Sequence, residues 1–283
     1  MTTTLTLQCP AKLNLFLHIT GRRGDGYHTL QTLFQIIDLC DTLSMSPAEA
    51  GTITLECSDA TLAGPDNLVL RAAHALRAAT GSTLGVSLRL DKRIPMGAGL
   101  GGGSSDAASA LIGLNQLWDC NLDVDTLAQI GLKLGADVPL FVRGNSAWAE
   151  GIGEILTPVN LPSKTYLVIC PDCHVSTQDI FSHQQLTRNT TAIKMAAFLA
   201  GHTGNDCEKV VRSLYPPVDE ALLWLNQFAQ ARMTGTGASI FAAFDSAQQA
   251  QQVLSQLPKG MNGFVAQGLA STKALHPETG STY

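Results

Sequence analysis

The chain has 283 residues, of which 45% are hydrophobic and 14% charged, a composition typical of a globular protein with room for two domains. Its net charge of −5 and its lack of long Lys/Arg runs argue against nucleic acid as the main partner. No apolar run approaches the ~20 residues of a membrane span and the first residues lack the pattern of a signal peptide, so we expect a cytoplasmic protein with no membrane partner.

The first predicted element is a strand over residues 5–20, in which Leu13 and Leu15 follow the two-residue period of a strand. On that period Lys12 and Asn14 share the opposite face. A lysine buried on a strand face needs a partner or a function, whereas one that faces solvent needs neither. The segment alone leaves both interpretations open.

A turn-rich loop follows and places an aromatic ring beside a ring that can form hydrogen bonds, Tyr27 and His28. Beyond it, the apolar pattern predicts three strands and then an amphipathic helix that Asp66 can cap and that Gly81 ends. These elements cover residues 29–38, 41–46, 53–57 and 66–80.

Five of the seven residues from 97 to 103 are glycine, between a predicted strand over residues 86–90 and a predicted helix over residues 104–118. Glycine reaches positive φ without strain, so the backbone N–H groups can form a concave nest. Ser104 or Ser105 is a good N-cap for the helix, and the positive end of the helix dipole lies at the same place. We therefore predict an anion site whose natural ligand is a phosphate group.

Two other phosphate-binding patterns fit this stretch less well. Residues 97–102 match G-x-G-x-x-G, but that fingerprint should follow its strand directly, and here residues 91–96, Pro95 among them, intervene. A Walker A loop needs Lys after the last glycine, and Gly103 is followed by Ser104. A dinucleotide-binding oxidoreductase and a non-catalytic ATP sensor stay open as alternatives.

A further helix is predicted over residues 124–134, with Asp123 as its cap. It leads to Asp137, which lies in a break before Pro139. Capping of the next turn and catalysis are both open for Asp137, and the sequence alone favours capping. A predicted hairpin over residues 146–156 and a predicted domain linker over residues 157–163 follow.

The second half alternates strands and helices, which indicates an α+β sandwich. Cys170 and Cys173 have the spacing of a metal-binding pair, but no second pair accompanies them, so we predict no structural metal site. The predicted strands cover residues 166–170, 240–244 and 264–268, and the predicted helices cover residues 177–186, 191–199, 219–230 and 247–257.

Three separated segments, PAKLNL at residues 10–15, PMGAGLGGGSS at 95–105 and TGTGAS at 234–239, resemble the three motifs of the GHMP small-molecule kinase superfamily. The longer stretches PAKLNLFLHITGRRGDGYHTLQTLFQ and LGADVPLF are similar to one branch of it. That branch uses ATP to phosphorylate the 2-hydroxyl group of a cytidyl-diphosphate-linked methylerythritol, in the non-mevalonate route to isoprenoid precursors. Another member, such as a homoserine or mevalonate-type kinase, should lack the Gly-Tyr-His loop.

The resemblance implies an α+β, two-domain GHMP kinase fold with the active site in the cleft between the domains. Residues 1–157 would form an ATP-binding and catalytic domain like domain 2 of ribosomal protein S5. Residues 158–283 would form a ferredoxin-like α/β sandwich on the substrate side. We expect a monomer or a weak homodimer.

The same resemblance implies roles for individual residues. Lys12 and Asp137 match the catalytic pair: Asp137 would accept the proton of the attacking hydroxyl group, and Lys12 would hold Asp137 ionised and offset charge on the phosphoryl group. Asn14 would hydrogen-bond a substrate hydroxyl group. ATP with Mg²⁺ would be held by residues at the nucleoside pocket and along the glycine loop: Asn67, Lys92, Pro95, Met96, Gly97, Ala98, Gly99, Leu100, Gly101, Gly102, Gly103, Ser104 and Ser105.

The substrate side is implied in the same way. Tyr27 and Phe181 would stack on the cytosine base, and His28 would read its edge by hydrogen bonds. The third motif, with Gly235, Thr236 and Gly237, would lie near the transferred phosphate and the substrate diphosphate. Asp106 would repel ATP if it faced the nest, so we predict that it points away from the phosphates.

Overall fold

The computed structural model describes residues 4–201 and 203–275. Within these residues, ten strands are connected into one mixed sheet. The strands are β1 (Leu5–Arg22), β2 (His28–Ala48), β3 (Ile53–Cys57), β4 (Gly85–Asp91), β5 (Ala147–Glu150), β6 (Ile155–Pro158), β7 (Thr165–Cys170), β8 (Arg232–Met233), β9 (Ile240–Phe244) and β10 (Asn262–Leu269).

The helices of the described ranges pack on this sheet. They are α1 (Leu68–Thr80), α2 (Gly102–Leu117), α3 (Val124–Leu132), α4 (Val138–Arg143), α5 (Thr177–Ser182), α6 (Met195–Leu199), α7 (Glu208–Leu214), α8 (Pro216–Leu225) and α9 (Ala247–Leu254). None of the helices in the described part of the chain combines the length and the apolar character that crossing a membrane requires.

Strand β2 is the centre of the sheet. β1 runs antiparallel along one of its edges, and β4, β5 and β10 share the other edge. The sequence predicted two strands here, over residues 29–38 and 41–46, but the chain forms one. It stays extended because Cys40 and Asp41 continue the ladder, opposite Pro10 and Cys9.

Two apolar cores lie on this sheet. The first joins β2 and β4 to α1 and α2, around Leu88 and Leu111. The second joins β7 and β9 to α7 and α8, around Ile169 and Leu222. A smaller cluster contains residues of β1 and β2 together with residues of β7 and β9. β10 pairs with both β2 and β7, so the two halves share one sheet.

Three local features differ from the sequence predictions. The cap of α1 is Asn67 rather than Asp66, because the Asn67 side chain accepts from Val69 N. Helix α2 begins at Gly102 after Gly101 in the left-handed region, so Ser104 and Ser105 lie in its first turn and are not its N-cap. Helix α7 was not predicted, since it is short and owes its stability to packing in the second core.

Candidate active site

The fold joins the three separated motifs by hydrogen bonds. Lys12 N donates to Leu100 O over 2.9 Å, which ties β1 to the glycine loop. Ser239 N donates to Ala98 O over 3.2 Å, and Asn14 N donates to Thr234 Oγ1 over 2.8 Å, which tie the third motif to both. The three motifs therefore lie together at one place in the fold.

Lys12 lies at the centre of this arrangement and is only 3% exposed. Its Nζ donates to Asn14 Oδ1 over 2.6 Å and to Gly99 O over 2.8 Å, and it lies 3.6 Å from Asp137 Oδ2. Burial lowers the pKa of Lys12, and the charge of Asp137 opposes that shift. The solvent-facing interpretation of Lys12 is wrong: its ammonium group is buried and paired.

Asp137 directly precedes α4, but its side chain makes no capping hydrogen bond to that helix. The capping interpretation is therefore wrong for its carboxylate. The side chain is 32% exposed and directed at the ammonium group of Lys12. A half-exposed carboxylate beside a buried cation can receive a proton from a bound hydroxyl group.

Asn14 is held from both ends of its amide. Besides accepting from Lys12, it donates from Nδ2 to Thr32 Oγ1 over 3.0 Å, and Thr32 donates to Phe16 O. Thr234 contacts the backbone of Asn14 and was not among the predicted site residues, although it begins the third motif. Contact of Asn14 with a substrate hydroxyl group stays a prediction.

The glycine loop forms one wall of a cleft of about 390 Å³. Gly97, Gly99 and Gly101 have positive φ, and Ala98 between them does not, so this alanine fits the loop without strain. A Cβ atom on Gly99 would lie 2.5 Å from Thr234 O. The loop thus needs glycine there both for its conformation and for its close approach to the third motif. The cleft is lined by Leu62, Asp66, Asn67, Leu68, Leu90, Lys92, Ile94, Pro95, Met96, Gly97, Ala98, Gly99, Leu100, Gly101, Gly102, Gly103, Ser104 and Asp106.

Lys92 is shared by two buried carboxylates, Asp41 and Asp106, an arrangement that the sequence analysis missed. Its Nζ donates to both, over 2.6 Å to Asp106 Oδ2. Asp41 also accepts from Arg93 N and Ile94 N, which fixes the chain just before the glycine loop. Burial raises the pKa of Asp106 to about 7 in spite of Lys92. Its orientation relative to bound phosphates stays a prediction.

The residues predicted for the base, Tyr27, His28 and Phe181, are not among the residues that line this cleft. The His28 and Phe181 rings stack on each other, with centroids 5.2 Å apart and planes at 21°. Tyr27 is 61% exposed beside them. In the third motif, Thr236 Oγ1 lies 2.9 Å from Thr177 Oγ1. The structure thus brings His28 and Phe181 together, and their contact with a base stays a prediction.

Comparison with known proteins identifies the class. The family model "GHMP kinases N terminal domain" matches residues 67–145, and the model "GHMP kinases C terminal" matches residues 185–263. Fold and site therefore define an ATP-dependent GHMP kinase, which confirms the predicted fold class and kinase activity and rules out the oxidoreductase alternative.

Individual relatives identify the family within this class of kinases. The chain is 54% identical to a 4-diphosphocytidyl-2-C-methyl-D-erythritol kinase of Shewanella denitrificans, over 94% of each chain, and 51% identical to the enzyme of that name from Hahella chejuensis, over 96% of each. A crystal structure of 4-(cytidine 5'-diphospho)-2C-methyl-D-erythritol kinase is 32% identical, with a TM-score of 0.81 over 93% of this chain and 99% of that one. The chain belongs to the 4-diphosphocytidyl-2-C-methyl-D-erythritol kinase family.

Proposed function

We propose that this kinase transfers the γ-phosphoryl group of ATP to the 2-hydroxyl group of 4-diphosphocytidyl-2-C-methyl-D-erythritol. The products are the 2-phosphate and ADP, in the non-mevalonate route to isoprenoid precursors. The observation that carries the proposal is the buried Lys12 beside Asp137 at the edge of the glycine loop. The names of the relatives support the choice of substrate over homoserine or mevalonate.

In this mechanism Asp137 orients the 2-hydroxyl group and accepts its proton, a role that typically contributes ~10²–10⁴-fold to the rate. Lys12 pairs with Asp137 and offsets the charge that develops on the phosphoryl group. Its hydrogen bonds to Asn14 and Gly99 O hold the ammonium group in place without help from the substrate. Such positioning suits phosphoryl transfer, in which the protein contributes mainly orientation and charge stabilisation and little covalent chemistry.

The nucleotide would lie in the cleft of the glycine loop, with its phosphates on the N–H groups before α2 and its nucleoside near Asn67 and Lys92. Mg²⁺ would arrive with the phosphates, because it keeps few protein ligands in nucleotide sites. The first turn of α2 offers the hydroxyl groups of Ser104 and Ser105. Ser104 lines the cleft and is the suitable neighbour for the ion or its water, whereas Ser105 Oγ is buried with no hydrogen-bond partner among the described residues.

On the substrate side, Tyr27 and Phe181 would hold the cytosine base, His28 would read its edge, and residues 235–237 would hold the diphosphate. A stacked base contributes ~1–3 kcal/mol. A division into a catalytic domain over residues 1–157 and a substrate-side domain over 158–283 is supported by the two cores, although β1 contributes Leu17 and Ile19 to the second core. The free cysteines support a cytoplasmic location, and we expect a monomer or a weak homodimer.

The test is ATP turnover with the cytidyl substrate by the parent chain and by Asp137→Ala. A matched control is Asp125→Ala, because Asp125 is also a carboxylate in an ion pair but lies on the surface, 2.8 Å from Arg143. We expect turnover in the parent and the control and a fall in kcat of ~10²-fold or more in Asp137→Ala. No turnover of the cytidyl substrate by the parent would refute the function, and full activity of Asp137→Ala would refute the role of Asp137.

A further inference from the structure

Arg188 lies in the loop after α5 and connects that loop to the start of β2. Its Nε donates to His28 Nε2 over 3.0 Å, across 160 residues of sequence. Its Nη2 donates to Phe181 O and His183 O, and its Nη1 to Leu186 O, all within 3.1 Å. One planar guanidinium group thus holds His28 and the backbone of Phe181 at the same time.

This contact determines where the His28 ring carries its proton. A guanidinium group only donates hydrogen bonds and stays protonated, so His28 Nε2 must be an unprotonated acceptor. Burial lowers the pKa of His28, and the charges of Arg188 and Arg22 lower it further, which favours the neutral ring that this hydrogen bond requires. A neutral imidazole with a free lone pair on Nε2 carries its proton on Nδ1.

The Nδ1–H group of His28 is a hydrogen-bond donor for a bound base. Among the described residues, the His28 ring takes part in one hydrogen bond, which it accepts from Arg188. Its Nδ1–H group is therefore available to a ligand. Cytosine offers an acceptor at N3, where uracil has an N–H group. A ring fixed with a donor on Nδ1 therefore suits cytosine, whereas a donor directed at uracil N3–H meets another donor and leaves both unpaired.

We propose that Arg188 is a positioning residue for base selection: it fixes His28 as an Nδ1–H donor stacked on Phe181, so that the site accepts a cytosine base and disfavours uracil. This inference rests on the proposed function, because it assumes a cytidyl substrate. It adds a residue that does not touch the base and acts through His28.

The first measurement is the ¹⁵N NMR spectrum of the His28 ring in the full chain at pH 7.5, which distinguishes the two tautomers without any substrate. We expect the proton on Nδ1 in the parent and a population with the proton on Nε2 in Arg188→Ala. A proton on Nε2 in the parent would overturn the proposal. This result does not depend on turnover, so it can be judged even if the proposed function fails.

The second measurement is steady-state kinetics with the cytidyl substrate and its uridyl analogue. In Arg188→Ala we expect the KM for the cytidyl substrate to rise about 10- to 100-fold, with the KM for ATP within about threefold of the parent, and the preference for cytidyl over uridyl substrate to fall about tenfold. Unchanged KM and preference would overturn the proposal. A parent that turns over neither compound would instead refute the proposed function.

Two further variants distinguish the contact between Arg188 and His28 from a general effect of positive charge and from a folding defect. Arg22 lies opposite His28 in the β1–β2 ladder and lowers its pKa, so Arg22→Ala removes a similar charge without a ring contact, and we expect KM within about threefold of the parent. An equal rise in both alanine variants would overturn the proposal. Arg188→Lys keeps the charge but not the planar fork; if Arg188→Ala does not fold, a parent-like KM and preference in Arg188→Lys would overturn it.

Discussion

Gly99 provides a sharp test of how the glycine loop is joined to the third motif. Its φ is +74°, and a Cβ atom there would lie 2.5 Å from Thr234 O and 2.9 Å from Gly237 O, where ordinary contacts begin at 3.4 Å. Both neighbours are backbone atoms, so neither can move away by a change of rotamer. In Gly99→Ala the left-handed conformation costs about 1–2 kcal/mol and the overlap about 1–3 kcal/mol more. We expect a loss of about 2–5 kcal/mol in the free energy of unfolding.

The assay is thermal and urea unfolding of Gly99→Ala beside Gly103→Ala. Gly103 is the matched control: it belongs to the same glycine run, but its Cβ would meet only Leu68 Cδ1 at 3.5 Å and its φ is not positive. Alanine is also favoured over glycine in a helix by up to about 1 kcal/mol. We expect the melting midpoint of Gly99→Ala to fall by at least about 4 °C and that of Gly103→Ala to stay or rise. A Gly99→Ala variant as stable as Gly103→Ala would refute the reasoning.

Two more predictions concern the buried charges of the site. Lys12→Met should lower the rate constant of phosphoryl transfer, measured in single-turnover assays, by ~10²–10³-fold, because it removes the cation that faces the reacting group. A loss under tenfold would argue against that role. Burial raises the pKa of Asp106 to about 7, above its value of about 4 in the unfolded chain. Between about pH 4 and pH 7 the folded chain therefore binds this proton more tightly than the unfolded chain does. The free energy of unfolding consequently falls as the pH rises through this range. Asp106→Asn removes this loss, so its stability relative to the parent, measured by urea unfolding, should grow by up to about 3 kcal/mol from pH 5 to pH 8, because about two pH units of this interval lie below the folded pKa. A difference that does not change with pH would contradict the raised pKa.

Much of the local structure follows from the sequence because its causes are local. The period-two pattern around Leu13 predicts a strand, and Asp123 caps α3 as expected, since its side chain accepts from Thr126 N. The positive φ of Gly97, Gly99 and Gly101 is the conformation that a glycine run permits. The local prediction fails where tertiary contacts decide, as at the start of α2 and in the short α7.

The composition of the site was predictable in part, but not its arrangement. The resemblance to GHMP kinases pointed to Lys12, whereas the residues alone could not separate a buried lysine from an exposed one. The sharing of Lys92 by Asp41 and Asp106 was missed, because the two carboxylates lie 51 residues before and 14 residues after Lys92 in sequence. No periodicity in the chain encodes such a contact.

The sequence by itself determined the elements and their chemistry: a strand that carries Lys12 and Asn14, a glycine nest before a helix, and a carboxylate before Pro139. Only the tertiary structure decided that Lys12 is buried beside Asp137, that Thr234 supports Asn14 across 220 residues, and that Arg188 holds His28. The physical reason is the range of the forces involved. Backbone propensity and capping act within a few residues, whereas burial, charge pairing and side-chain hydrogen bonds depend on which distant strands the folded sheet places side by side.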